Sequence, residues 1–562
     1  MNSKVTKVKK KSGIITLTDK DYKAAGGQGV VYCKDSIAYK IYHDPKQMIP
    51  VAKIQELGTL NRDNILAPIE PLYDPKDMMP IGFTMPYVDS TEFLCKIFTK
   101  NFRDEKNISP KDIIEMISGM QKTLEFVHKN KFLIVDYNEM NFLISSDMKI
   151  VYCIDVDSWK TPSFPAMALM ESVRDRQAPQ GVFTELTDWF SFAVVTFQMY
   201  VGIHPYKGFH PNFAPAEWGK RMDKGISVFD KDVTLPKSCQ DFSVIPKKHL
   251  DWYKAVFSKG ERSIPPYADL VSIAISQGKS VSSQGGFIVE LVKEFSSTIQ
   301  KIYFFDKTRY AITNSGVYKE DKQVFNFTKT GRNNLEMLSI YGEDPIIGHP
   351  GLDGQICFYD LSKKPVSVMS AEAMFGANGL IYSINNGELV ENSFERLGRL
   401  LHQTKPVSNL CPSYKIFPGI ITQDDFMKCH LAVPYSPGHC VNILVSELNG
   451  FRIIDAKHEG HTSVLIVEKG GNFWQYILIF NENFSKYSVW IEPMTGPGAV
   501  NFISLENGLN ILADDDKTVL FRDKDHKKEI KNSPINSSTR LYHNGVEVYF
   551  ADGTKLYKVK MS

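Results

Sequence analysis

Between Ile134 and Trp159 the sequence reads IVDYNEMNFLISSDMKIVYCIDVDSW, and three of its polar side chains are spaced for chemistry. Asp136 and Asn141 stand five residues apart in a polar loop, between the apolar runs 132–135 and 142–144. A hydrophobic strand expected over 150–154 then delivers Asp155 at its end. The stretch reads as strand, loop, strand, turn, strand, turn. That order would gather two carboxylates and one amide beside one small sheet. Such a group suits phosphoryl transfer. One carboxylate orients the attacking hydroxyl or accepts its proton, while an amide and a second carboxylate hold Mg2+ against nucleotide phosphates. The plain alternative is that Asp136 and Asn141 are ordinary turn formers in a hairpin.

The elements upstream supply what that chemistry also requires. Residues 24–32 read AAGGQGVVY, with Gly26, Gly27 and Gly29 around Gln28. Glycines in such a turn let backbone amides approach phosphate oxygens, although most such turns are plain hairpins. The next strand, IAYKIY at 37–42, places Lys40 among apolar and aromatic neighbours, where its ammonium could neutralise phosphate. A strand-edge lysine facing solvent is the alternative. Residues 49–60 are helix-like, with apolar residues at 51, 54, 57 and 60. Residues 81–88 form an apolar strand ending at Pro86, or a simple edge strand. A long amphipathic helix over 109–129 starts at Ser109 with Pro110 in its first turn. A wholly buried helix starts at Thr187 or Asp188 and stops at Gly202 and Pro205.

In this order and spacing the motifs resemble the protein kinase fold over residues 14–275, with a small lobe at about 14–88 and a large lobe at about 89–275. The resemblance implies an α+β bilobal unit that uses ATP and Mg2+. Gly26, Gly27, Gln28, Gly29 and Val31 would cover the phosphates, and Lys40 would orient them. Met85 and Tyr87 would line the adenine strand and hinge. Asn141 and Asp155 would ligate Mg2+, and Asp136 would orient or accept the hydroxyl proton. Asp188 would hydrogen-bond the catalytic-loop backbone, or serve only as a helix cap. His204 would be structural.

Several positions depart from the family pattern. Ala24 replaces the first glycine of the turn. Ile134 and Val135 replace His-Arg, and Asn138 replaces a lysine. Gln180 replaces the glutamate of Ala-Pro-Glu. The helix acid that pairs with the strand lysine falls by spacing on Lys53, so Glu56, one turn later, becomes its expected substitute. The metal motif Asp155-Val156-Asp157 carries an acid in place of glycine. This form resembles a divergent kinase-like group of bacteria and their viruses, in which Asp-Val-Asp-Ser-aromatic is usual.

Composition narrows the remaining classes. Sixty-six Lys+Arg against 64 Asp+Glu give a net +2, so no global field draws nucleic acid or anionic membrane. The basic segment 1–13, with five lysines in residues 4–11, reads as a solvated, frayed terminus. The eight cysteines form no Cys-x-x-Cys pair, which disfavours zinc and a disulfide framework and points to a reducing, cytoplasmic compartment. The opening residues lack the apolar core of a secretory signal. The longest apolar stretch, Phe190 to Ile203, is too short to span a bilayer.

The chain changes character after a Gly/Ser-rich linker at 276–286. From 287 to 562 short alternating strands recur, separated by Asn-Gly, Gly-Gly and Asp-Gly turns. At roughly 40–45 residues per four-stranded blade, this predicts an all-β domain, a β-propeller of about six blades, with a pair of β-sandwiches as second choice. Cys429-His430 and His439-Cys440 have no standard metal spacing and read as loop residues. Three functions remain open. The first is a Ser/Thr protein kinase whose β domain recruits a protein substrate or partner. The second is a pseudokinase scaffold acting through nucleotide-regulated partner binding. The third is a small-molecule kinase, against which the full helix at Asp188 stands.

Overall fold

A computed structural model describes residues 6–166, 169–267, 287–305, 308–327, 334–340, 343–351, 354–397, 399–515, 517–531 and 533–561. The protein is mostly β, with few helices and several antiparallel sheets. The expected linker at 276–286 lies outside the described residues.

Among the described residues, ten strands build the N-terminal unit. They are β1 (Thr6–Lys10), β2 (Gly13–Leu17), β3 (Tyr22–Ala25), β4 (Gly29–Lys34), β5 (Ile37–Tyr42), β6 (Pro71–Tyr73), β7 (Pro80–Pro86), β8 (Glu92–Phe93), β9 (Phe142–Ile144) and β10 (Val151–Cys153). The first seven form one sheet in the order β2-β1-β6-β7-β5-β4-β3. Its register sets Lys40 opposite Val31 on one side and Phe83 on the other. The basic N-terminal run is not frayed over its described part: β1 pairs with β2, and Lys9 lies opposite Tyr73 of β6. Charge alternates there with an apolar residue. Val8 is fully buried with Leu17, Tyr22, Tyr32, Tyr39 and Leu72, so burial on one face holds the strand despite its lysines.

Among the described residues six α-helices complete the unit: α1 (Val51–Leu57), α2 (Lys100–Lys106), α3 (Pro110–Lys129), α4 (Glu185–Val201), α5 (Trp218–Asp223) and α6 (Lys247–Lys259). α3 begins as its sequence predicts. Ser109 accepts from the Asp112 amide, Asp112 reaches back to the Ser109 N–H, and Pro110 occupies the first turn. α4 begins a turn earlier than expected, because Thr184 caps the Thr187 amide. Every residue of α4 from Asp188 to Val201 is buried, and Gly202 ends it in the left-handed region at φ 88°.

The apolar run 132–135 forms no strand, contrary to expectation. Only an isolated bridge joins Leu133 to Lys160, because the amides of Ile134 and Val135 bond the Asp188 side chain instead of a neighbouring strand. The hairpin β9–β10 and the short β8 form the remaining sheet of this unit.

Among the described residues after 286, strands form seven four-stranded antiparallel sheets, one more than the expected six. The first strands of successive sheets begin at 299, 336, 373, 414, 452, 502 and 540, so most repeats are shorter than the roughly 40–45 assumed. The strand Phe287–Glu294 pairs with Lys555–Met561 at the far end of the chain and completes the last sheet. Arg540 Nη1 donates to the carbonyl of Gln300 at 3.0 Å, which brings the first and last sheets together. The leading strands surround a cavity of about 1240 Å3, capped by Asn101, Phe102 and Glu105 of α2.

This β unit packs firmly on the N-terminal unit. Ile454, Ile466 and Phe473 belong to the same apolar core as α3 and α4. Lys100 pairs with Asp552 at 3.0 Å, and Ser413 Oγ donates to the Lys23 carbonyl at 2.5 Å. The rings of Tyr22 and Phe426 lie 4.3 Å apart, tilted by 38°. No helix among the described residues is long and apolar enough to cross a membrane.

A Cβ at Gly202 would lie 2.6 Å from the Phe98 carbonyl oxygen, in a backbone region that L-residues avoid. Gly202→Ala should therefore cost at least about 1–2 kcal/mol. Chemical denaturation followed by tryptophan fluorescence measures it, and an unchanged midpoint would contradict the assignment of Gly202 as an obligatory cap.

Candidate active site

The catalytic candidates converge where the seven-stranded sheet meets the hairpin β9–β10. Lys40, central in β5, is buried and points at the turn that follows β10. Its Nζ lies 2.7 Å from Asp157 Oδ2, 3.3 Å from Asp155 Oδ1 and 3.3 Å from Gln28 Oε1. Asp155 opens that turn in the left-handed conformation, φ 55°, and its carbonyl accepts from both Ser158 N (3.0 Å) and Ser158 Oγ (2.8 Å). The turn thus presents two acids to one ammonium. Tyr42, two residues along β5, donates its hydroxyl to Asp157 Oδ2 at 2.7 Å.

These contacts shift the ionisation of all three groups. Burial works to lower the Lys40 pKa, but the carboxylates of Asp157 and Asp155 outweigh it and hold the ammonium above the ordinary lysine value. Asp157 is buried too, yet Lys40 and the Tyr42 hydroxyl hold its carboxyl below the ordinary range. For Asp155, burial and the neighbouring Asp157 raise the pKa against the pull of Lys40. Its side chain keeps 38% of its surface accessible, which suits a ligand-binding carboxylate better than a purely structural one.

The expected pairing of Lys40 with Glu56 does not occur. Glu56 lies on the outer side of α1, where Oε2 accepts from the Ser163 amide at 3.3 Å. The face of α1 turned inward carries Lys53, which is buried and donates to the Pro165 carbonyl at 3.2 Å. A cation on that face leaves no helix acid for Lys40, and Asp157 takes the role. Asp157 and Tyr42 are therefore the site residues that spacing alone missed. The available signal was the acid standing where the resembled motif has glycine.

Asp136 and Asn141 meet as the sequence predicts. Asn141 Nδ2 donates to the Asp136 carbonyl at 3.0 Å and to its Oδ2 at 3.2 Å. With the amide nitrogen committed, Asn141 Oδ1 remains the acceptor able to face a cation. β9 and β10 bring Asn141 beside Asp155, since the Ile154 amide donates to the Asn141 carbonyl at 3.0 Å. The other Asp136 oxygen, Oδ1, accepts from the Met170 amide at 2.7 Å.

The loop is held from behind by Asp188. Its carboxylate accepts from Ile134 N at 2.8 Å and Val135 N at 2.9 Å, and it pairs with His128 Nε2 at 3.0 Å. Val135 takes φ 65°, a strained value for a β-branched residue directly before Asp136. His204, expected to be structural, is buried with Nε2 2.9 Å from the Ser172 carbonyl.

The glycine turn joins β3 and β4, closed by Gly26 N to the Gly29 carbonyl at 2.9 Å. Gly29 is required there, since a Cβ would stand 2.3 Å from the Ile41 carbonyl oxygen. At Gly26 and Gly27 a Cβ would meet nothing within 4 Å, so these positions face open space. Val31 lies directly opposite Lys40, and Met85 opposite Ala38. Tyr87 lies under the Lys23 ammonium, 5.5 Å from its ring centre, and donates to Asp89 at 3.3 Å.

One further cluster among the described residues has metal-ligand spacing: His210, Asp230 and Asp232. His210 Nδ1 lies 3.1 Å from the Asn212 amide, from which it accepts, so the remaining ring nitrogen carries the proton and acts as a donor. That tautomer suits a hydrogen bond to carboxylate rather than metal ligation.

No family model matches the chain, and no curated protein matches it.

Asp157→Asn should destabilise the protein by about 3 kcal/mol at neutral pH, because it leaves Lys40 buried with half its counter-charge. The Asp157 pKa is depressed in the folded state, so its contribution is complete above the ordinary value of 3.8 and is lost as pH falls through the lower folded value. Unfolding measured from pH 7 down to pH 3 should show the gap between wild type and variant shrinking at the acid end. A gap that widens there would contradict the pairing.

Proposed function

We propose that the N-terminal unit is a bilobal, protein kinase-like enzyme that transfers the γ-phosphoryl group of ATP to Ser/Thr hydroxyls of a protein substrate. The observation that carries this reading is the convergence of Lys40, Asp155, Asn141 and Asp136 where the seven-stranded sheet meets the hairpin β9–β10. The strand order β3-β4-β5-β7-β6, with α1 between β5 and β6, also supports it, as does the anchoring of the loop before Asp136 by Asp188.

The donor set fits Mg2+: a carboxylate from Asp155 and an amide oxygen from Asn141 are the hard oxygen ligands that this ion takes. When bound, Mg2+ would neutralise phosphate charge. Lys40 would bind phosphate oxygens, and Asp157 and Tyr42 keep its ammonium charged and aimed while the nucleotide is absent. The backbone at Gly26 and Gly27 is open to phosphate approach. Asp136 would orient the acceptor hydroxyl and take its proton. Catalysis of this kind rests on positioning and charge more than on covalent chemistry by the protein. The β unit is read as a seven-bladed propeller that recruits a substrate or partner.

A second reading, a pseudokinase scaffold, draws on one observation. Both Asp136 oxygens are engaged, one by Met170 N and one by Asn141. A substrate hydroxyl would have to displace the Met170 amide.

Incubation with Mg2+ and γ-labelled ATP tests the reading. Wild type should label itself or a generic protein acceptor, and Asp136→Asn and Asp155→Asn should each lower the rate at least about 10²-fold. Labelling that persists in both variants would refute it. No labelling by wild type, with MgATP still raising the melting temperature, would establish the scaffold instead.

A further inference from the structure

On the phosphoryl-transfer reading, the place that the acceptor hydroxyl needs is already taken. Asp136 Oδ2 accepts from Asn141 Nδ2 at 3.2 Å, on the side of the cation ligands, which leaves Oδ1 to orient a hydroxyl. A general base must come within about 2.6–3.2 Å of the proton donor it serves. The Met170 amide stands there instead, 2.7 Å from Oδ1.

Met170 is seated from two sides. Within the N-terminal unit, Ser191 Oγ donates to the Val173 carbonyl at 2.7 Å, and His204 Nε2 lies 2.9 Å from the Ser172 carbonyl. The other side belongs to the β unit. Its strands Thr462–Lys469 and Asn472–Phe480 are joined by a two-residue turn, Gly470–Gly471, with both glycines in the left-handed region at φ 58° and 79°. The Met170 thioether lies against the bare face of that turn. A Cβ on Gly471 would stand 2.8 Å from Met170 Cε and 3.0 Å from Sδ. The Gly471 amide donates to Glu468 Oε1 at 2.7 Å, which holds the turn in place. Leu169 and Met170 pack on the same apolar core as Ile466 and Phe473 of those two strands. The seat is imperfect. Ser172 Oγ is buried with no hydrogen-bond partner among the described residues, and an unmet buried hydroxyl raises the energy of the conformation that holds it.

We propose that the β unit is an autoinhibitory element: its Gly470–Gly471 turn holds Met170 on Asp136 where the acceptor hydroxyl belongs, and transfer runs at full rate only when Met170 leaves that seat. This rests on the phosphoryl-transfer reading and gives the β unit a regulatory role besides recruitment.

Three substitutions in the full-length protein test it. Gly471→Asn keeps a left-handed backbone that asparagine tolerates but drives a Cβ into Met170. Met170→Ala removes the same contact from the N-terminal unit. Gly470→Asn is the control in the same turn, because a Cβ there meets nothing within 4 Å. With γ-labelled MgATP, labelling of a generic protein acceptor should rise about tenfold over the basal wild-type rate in Gly471→Asn and in Met170→Ala. MgATP affinity by calorimetry should stay within twofold, as should the rate of Gly470→Asn. The double variant should label no faster than either single one, because both break one contact. In Gly471→Asn the Met170 amide should exchange its hydrogen about tenfold faster than in wild type. The two releasing substitutions lie in different units, so either alone decides the matter. Rates at or below wild type, with MgATP still bound, would overturn the proposal, as would equal acceleration in Gly470→Asn. Failure of the phosphoryl-transfer reading looks different: neither wild type nor any variant then labels the acceptor, and both ideas fall together.

Discussion

A lysine ammonium buried in the middle of a sheet must be neutralised within reach of its own side chain, and much of the cleft follows from how that is done here. Lys40 has apolar and aromatic neighbours in the sheet and no acid from helix α1, whose inward face carries Lys53. The counter-charge comes from Asp157, in the turn that also carries Asp155. Tyr42 adds a hydrogen bond to the same oxygen, so the pair is fully engaged rather than half satisfied. A buried pair of this kind is worth little as net stability against an apolar alternative, but it is costly to break from one side. Its consequence is positional. It fastens β5 to the turn after β10 and sets Lys40 and Asp155 against each other, 3.3 Å apart.

The second constraint lies behind the loop. Asp188, buried near the start of α4, spends its carboxylate on two backbone amides and His128. That arrangement explains how Val135 can persist in the left-handed region immediately before Asp136. The strain is local, and the bonds that hold it come from a helix buried along most of its length. The β unit adds a third support. Its residues share the apolar core of the large helices, and Met170 packs toward Gly471 while its amide caps Asp136. On the phosphoryl-transfer reading, the β unit thus braces the acceptor side of the site, through Met170.

What was legible in the sequence was mostly local. The Ser109–Pro110 start of α3 and the Gly202 stop of α4 are set by backbone groups within a few residues, and both sit where the sequence places them. The loop contact between Asp136 and Asn141 is also short in sequence. The pairing of Lys40 with Asp157 spans 117 positions, and no periodicity reports on it. Spacing along α1 misled because a helix of seven residues gives little leverage on which side faces inward, and Glu56 faces out. The apolar run 132–135 looked like a strand because burial and strand formation share a signature. Here the residues are buried while their amides serve a side chain. In β1 the lysines hid an alternating pattern whose single buried valine anchors the strand. The sheet count of the β unit failed by one because its turns are irregularly spaced.

The account stands on Asp155 and Asn141 acting together as oxygen ligands for a cation in the cleft that Lys40 borders. A crystal soaked with Mn2+ and a non-hydrolysable ATP analogue measures this directly through anomalous scattering. The account predicts a manganese peak bonded to Asp155 and Asn141, with a phosphate oxygen of the analogue on Lys40. Analogue and metal bound elsewhere, with the Lys40–Asp157 pair closed over an empty cleft, would contradict it.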